Sequence, residues 1–148
     1  RSFNYMGRLL AIDYGKKRTG LAVTDPLKII AGGLATVLTH ELFQFLHDYT
    51  QKEQVELIII GEPKQPNGLP SENLARVQQF VNRWRKAMPQ IPIEYFDERY
   101  TSVLAHRAMI DGGLKKKDRQ NKALVDEISA TILLQNYMDS RQFKAGGF

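Results

Sequence analysis

A mixed α/β fold, with five strands in one sheet and helices on both faces, is the architecture this sequence predicts. Three observations carry that expectation. The chain opens on an apolar meander of three short strands, and after residue 39 helical and extended patterns alternate. Leu57–Ile60 is a continuous apolar run, the mark of a strand covered on both sides. The expected order is β-β-β-α-β-α-β-α-α.

Arg8–Tyr14 and Gly20–Thr24 read as two strands joined by a tight connection through Gly15. A third strand falls in Ile29–Leu38, where Gly32 and Gly33 suggest a bulge. Thr39 is a candidate cap for a helix that carries Leu42, Phe45, Leu46 and Tyr49 on one face. Residues 62–70, "EPKQPNGLP", hold three prolines and a glycine and form a loop. Ser71 is a candidate cap for the next helix, whose apolar positions Leu74, Val77, Val81, Trp84 and Met88 recur at helical spacing until Pro89 closes it. "IPIEYF" is the fifth strand, ending at Asp97 and Glu98. A short helix is expected from Ser102 to Gly112, then a charged loop, "LKKKDRQNK", and a last helix from Ala123 to Arg141. The terminal "KAGGF" is expected to fray.

Length and composition bound the rest. The 148 residues fit a single domain, 1–148, and 43% of them are hydrophobic, enough for an ordinary core. Met6 reads as a natural start, with residues 1–5 an extension set aside from the fold argument. The net charge of +5 is compatible with a nucleic-acid partner without establishing one. The chain has no cysteine, which excludes a disulfide scaffold, a thiolate zinc site and a cysteine nucleophile, and fits a reducing cytosol. No apolar stretch reaches the length of a membrane span, and "RSFNYMGR" lacks the apolar core of a signal peptide.

The chemistry-bearing signal is a set of acids at strand ends. In open α/β sheets chemistry gathers at the carboxyl ends of the strands. Asp13, Glu62 and the pair Asp97–Glu98 fall there, and Asp126 shares a helix stripe with Ala130, Leu133 and Tyr137. Taken singly, each is readable as a turn residue, a surface charge or, for Asp126, a helix-start acid favoured by the dipole. Gathered together, the carboxylates need neutralising. A salt-bridge network with Arg18, Arg99 and the lysines is one solution. Hard divalent cations are another, since carboxylate oxygens are their preferred ligands, and two such ions about 4 Å apart activate a water and stabilise the leaving oxygen of a phosphodiester. His40, His47 and His106 are scattered and read as structural or solvent-facing.

"AIDYGKKRTGLAVTD" resembles the D-x-G-x-x-R-x-G-x-A-x-[ST]-D signature of the YqgF/RuvX family of Holliday-junction-resolvase-like, pre-16S rRNA nucleases, with Asp13, Gly15, Arg18, Gly20, Ala22, Thr24 and Asp25 in register. "FDERYTS" at Phe96–Ser102 resembles the family's D-E-R segment, and the stretch from Lys115 to Asp139 its lysine-rich loop and final helix. The resemblance implies an RNase H-like fold, a cytoplasmic location, and Mg²⁺- or Mn²⁺-dependent phosphodiester hydrolysis at the 5′ end of 16S rRNA precursors. It further implies a catalytic and metal-binding triad of Asp13, Glu98 and Asp126. The family's usual G-L-P at the end of the fourth strand is here Gly61-Glu62-Pro63. Glu62 is therefore an additional candidate metal ligand, since true junction resolvases carry a catalytic Glu at that strand end; Asp97, beside Glu98, is another candidate ligand. A surface-loop role for Glu62 stands beside that reading.

Lys16, Lys17, Arg18 and Arg99, with Lys115, Lys116, Lys117, Arg119 and Lys122 of the charged loop, are the candidate nucleic-acid contacts; such contacts give affinity without sequence preference. Tyr14, Tyr95 and Tyr100 are candidate stacking platforms, with Tyr95 equally placed for the core. The expected partner is pre-rRNA, or branched DNA as in a junction resolvase, bound by a monomer or homodimer and without a membrane. Two other classes remain open on the sequence. A nucleotide-binding ATPase shares the D-x-G hairpin but needs a second phosphate hairpin and a second lobe. A non-catalytic RNA- or ribosome-binding module keeps the fold and the acids as salt bridges.

Overall fold

The computed structural model describes residues 7–63, 67, 71–97 and 121–145. Strands β1 (Arg8–Asp13), β2 (Arg18–Thr24) and β3 (Ala31–Leu38) form the meander. A single 3₁₀ turn, Thr39–Glu41, leads into helix α1 (Leu42–Lys52). Then come β4 (Val55–Glu62), α2 (Leu74–Ala87), β5 (Ile93–Asp97) and the long α3 (Lys122–Ala145). The sheet order is β3-β2-β1-β4-β5; the first three strands are antiparallel, whereas β4 runs parallel to β1 and β5 parallel to β4. The expected mixed five-stranded sheet is therefore present. The helix expected near Ser102 and most of the lysine loop lie outside the described residues.

Leu9, Leu10, Ala11 and Ile12 are all buried, as a central strand covered on both faces requires. Alternation then divides the strands between two cores. Leu10, Ile12, Leu21, Ile58, Ile60 and Ile93 face α1 and α2, meeting Leu42, Leu46, Val77, Val81 and Trp84. Leu9, Ala11, Ala22 and Ile59 face α3, meeting Ala130, Leu133, Leu134 and Tyr137. The bulge suggested by the paired glycines is there: Leu21 pairs with Ala35 but Ala22 with Gly33, which leaves Leu34 as the extra residue.

Local capping departs from the sequence expectation at two helices. Thr39 does not cap α1; its Oγ1 donates to the Gly15 carbonyl at 2.7 Å and stands 2.9 Å from Thr19 Oγ1. With its only proton given to Gly15, Thr39 accepts from Thr19, so the residue ties the end of β3 to the β1–β2 turn. Ser71 does not cap α2 through its hydroxyl; the helix begins at Leu74 after Asn73, whose side-chain amide instead donates to the Tyr14 carbonyl at 2.9 Å. Thr39 and Asn73 are thus both placed so as to brace the segment that follows Asp13. At the other end of the chain α3 continues to Ala145, so the first residues of the expected frayed tail are helical.

Candidate active site

Asp13 closes β1 and pairs across the sheet with Gly20 of β2. Directly opposed residues of an antiparallel pair point to the same face, here the face of α3, which Ala11 and Ala22 also share. Helix α3 lies so close above this pair that a Cβ on Gly20 would overlap the carbonyl oxygen of Asp126. Only a residue without a side chain allows that approach. The backbone of Asp126 thus sits on the cross-strand partner of Asp13, which brings together two acids 113 positions apart in the chain (126 − 13).

Arg18, at the start of β2, points to the same face. Its Nε donates to Asp126 Oδ2 at 2.9 Å, with both side chains partly covered. One cation of the opening motif is therefore spent on holding a carboxylate in place. Gly15 makes the turn possible: a Cβ there would overlap the carbonyl oxygen of Arg18. Lys16 and Lys17 are exposed on that turn, and the Lys17 carbonyl accepts from the Thr39 amide at 2.9 Å. Asp126 is the fifth residue of α3, past the first turn, so the helix dipole does not account for an acid there.

The remaining acids divide by face. Glu62 is in register with Asp97, both at the carboxyl ends of parallel strands. Alternation from Ile58 and Ile60 carries Glu62, and from Ile93 and Tyr95 carries Asp97, to the side of α1 and α2. Tyr95 agrees with that placement: burial raises its pKa, the nearby Arg85 opposes the rise and Glu62 adds to it. Alternation thus starts this pair from the side opposite that of Asp13 and Gly20. Among the described residues no three acids or histidines cluster tightly enough to hold a metal ion. Glu98, Arg99, Tyr100, His106, Lys115, Lys116, Lys117 and Arg119 lie outside the described residues, as does the side chain of Lys122.

Asp25, the last residue of the opening motif, does another job. It lies at the far end of β2, where its carboxylate accepts from the amides of Ile29 (2.7 Å), Ile30 (2.8 Å) and Leu27 (3.1 Å). Those bonds, the Ile30 amide's first, hold its pKa below the usual value. They also close a loop in which Lys28 adopts a left-handed φ of 61°.

On the α1/α2 side, next to the end of β1, lies a groove of about 460 Å³. Tyr14, Phe43 and Phe80 contribute aromatic surface, and Lys16, Arg76 and Arg83 contribute charge. Nothing in the order of the residues along the chain assembles it. The seven-residue spacing of Arg76 and Arg83 was visible, but their meeting with Lys16 and His40 depends on how α2 docks.

A parallel-antiparallel sheet in the order β3-β2-β1-β4-β5, with an acid ending the central strand under a helix acid, defines an RNase H-like protein. The solved T. thermophilus RuvC in complex with Holliday junction substrate shares the fold, with a TM-score of 0.53, 16% identity, and coverage of 92% of this chain and 96% of that one. Within that class the chain belongs to the RuvX family, whose model, described as Holliday junction resolvase, matches residues 7–140. A protein of Phocaeicola vulgatus is 65% identical over 138 residues, covering 93% of this chain and 99% of its own. One of Bacteroides thetaiotaomicron is 62% identical over 138 residues, covering 93% and 100%. Both bear the name "Putative pre-16S rRNA nuclease", which agrees with the expected enzyme class, a hydrolase acting on ester bonds.

Proposed function

We propose that this chain is a divalent-metal-dependent nuclease that trims the 5′ end of pre-16S rRNA in the cytoplasm, with Asp13, Glu98 and Asp126 as its catalytic acids. The observation that carries the proposal is the stacking of Asp126 on the Asp13–Gly20 pair. A glycine is used where any side chain would push the helix away, and the effect is to bring two carboxylates to one strand end.

The donor set suits hard cations. Asp13 and Asp126 offer only carboxylate oxygens, the ligand type that Mg²⁺ and Mn²⁺ prefer. Such ions, when bound, supply an activated water and charge stabilisation at the leaving oxygen. The chain's own contribution is position and charge. Asp13 is fixed by the β1 ladder, and Asp126 by its helix and by Arg18 Nε. Lys16 and Lys17, exposed on the adjoining turn, meet the phosphates flanking the cleaved one. Glu62 and Asp97, on the other face, act outside the metal site in this reading.

The test is cleavage of labelled pre-16S 5′-leader RNA, single-stranded DNA and a four-way junction, with Mg²⁺ and with Mn²⁺. Wild type is expected to cut the RNA. Asp13→Asn is expected to cut it more than about a hundredfold slower, beyond what the loss of a merely orienting partner costs, with an unchanged circular-dichroism spectrum. Equal rates in the two proteins sink the assignment; cleavage of the junction alone moves it to DNA.

A further inference from the structure

We infer that the groove between the β1–β2 turn, the 3₁₀ turn and α2 binds a single-stranded nucleic acid, holding the strand as it leaves the acid site. The inference deepens the nuclease reading and rests on it for the identity of the strand.

Charge is the first argument. Three cations from two separate elements line the groove, Lys16 from the turn and Arg76 and Arg83 from α2, together with His40 and Gln79, and among the described residues no acid lines it. His40 Nε2 stands 3.8 Å from Glu41 Oε2, and both side chains are exposed. An amphipathic helix facing solvent ordinarily mixes charges of both signs. Arg76 and Arg83 stand seven residues apart, two turns along one stripe, so they line a path rather than form a point.

The floor is the second argument. Tyr14 and Phe80 have ring centroids 5.9 Å apart, Phe43 and Phe80 6.4 Å, and Phe43 and Trp84 5.5 Å. The guanidinium of Arg83 lies 4.0 Å from the centroid of Phe43, which pins the cation against an aromatic wall. Tyr14 and Phe43, partly exposed over the buried Phe80 and Trp84, offer aromatic surface for bases beside cations for phosphates, the combination that holds single strands without regard to sequence. A volume of about 460 Å³ admits a nucleotide-sized group.

Location is the third. Tyr14 follows Asp13 directly and points to the opposite face, where it lines the groove. A strand bound at Asp13 therefore has only the end of β1 to cross before it reaches the aromatic floor. Asn73, which holds the Tyr14 carbonyl at 2.9 Å, and Thr39, which holds the Gly15 carbonyl at 2.7 Å, fix that crossing point.

The experiment measures binding of fluorescein-labelled 20-nucleotide RNA and DNA by the full chain in EDTA, over a range of salt, so that cleavage plays no part. R76Q/R83Q is expected to weaken binding about tenfold or more at low salt and to reduce the slope of log K against log salt by about 1.4, two phosphates' worth. K52E/K86E, which removes more charge from exposed sites outside the groove, is the control. Unchanged affinity and slope in R76Q/R83Q overturn the inference, and so does an equal loss in the control. R76K/R83K, which keeps the charge, is expected to retain most of the slope; loss of the whole slope there also overturns it. Cleavage by Asp13→Asn decides the nuclease reading separately, since the EDTA binding result stands whether or not that variant cuts.

Discussion

The two faces of the sheet are built from different materials. Under α3, at the Asp13 end, the sheet offers Ala11, Ala22 and Gly20, and the helix answers with Ala130 and Ser129, so backbone approaches backbone at Gly20; elsewhere on that face Leu9 and Ile59 meet Leu133, Leu134 and Tyr137. Under α1 and α2 the layer is thick, filled by Trp84, Phe80, Leu42, Leu46 and the isoleucines of β4. Small residues fix a helix at one height, because there is no side chain to repack. Large residues bury more area and supply more stability, but they tolerate adjustment. The acids Asp13 and Asp126 sit on the thin face, where position is fixed. The groove with its aromatic floor sits on the thick one.

That division can be broken from either side. Trp84→Ala removes the largest fully buried side chain and is expected to cost about 3–5 kcal/mol in a urea melt, while the protein that remains folded cleaves at a rate near that of wild type. A rate that collapses in the folded protein would show that the thick face also sets catalytic geometry. Gly20→Ala is the complement. The added methyl forces α3 off the sheet, for about 1–3 kcal/mol of stability, and the displaced Asp126 is expected to lower the cleavage rate about a hundredfold. Should Gly20→Ala melt earlier but cut normally, the close approach matters only to folding.

Arg18→Gln sharpens the point at the same spot. The pair with Asp126 is partly exposed, so its loss is expected to move stability by less than about 1 kcal/mol, yet cleavage falls because Asp126 loses the group that orients it. A rate unchanged from wild type would limit Arg18 to surface charge. The smallest effect is expected at the far end of the sheet. The pKa of Asp25 is held below the ordinary 3.8 by the loop amides. Its contribution to stability is therefore complete above pH 3.8, and fades as pH falls through the lower folded value. Asp25→Asn is expected to flatten that part of the pH–stability curve and leave cleavage at neutral pH untouched; an NMR titration of Asp25 at or above the ordinary value contradicts it.

Much of this was legible in advance, for physical reasons that differ by element. Leu57–Ile60 announced a strand covered on both faces because apolar groups in succession cannot be exposed on either. Asp13 announced itself because an acid cannot follow Ile12 into a dry core. Gly32 and Gly33 announced a bulge. The helical stripe of Asp126, Ala130 and Leu133 named the face of α3 that meets the sheet. The caps were not legible: a threonine or serine before a helix looks the same whether it bonds the helix or, like Thr39, bonds a distant turn. The division of the acids was only half legible. Period-two alternation within β4 put Glu62 opposite Gly61, but the face each strand end presents to a given helix follows from pairing, which no single strand encodes.

By itself, then, the sequence determined which segments extend or coil and where the carboxylates end their strands, because those follow from local periodicity and turn chemistry. Tertiary structure alone decided that Asp126 rests on Gly20 beside Asp13, that Glu62 and Asp97 turn to the other side, and that Arg76 and Arg83 meet Lys16 over Phe43 and Phe80. Such meetings depend on sheet register and on how helices dock, and those are set by the whole of the two cores at once.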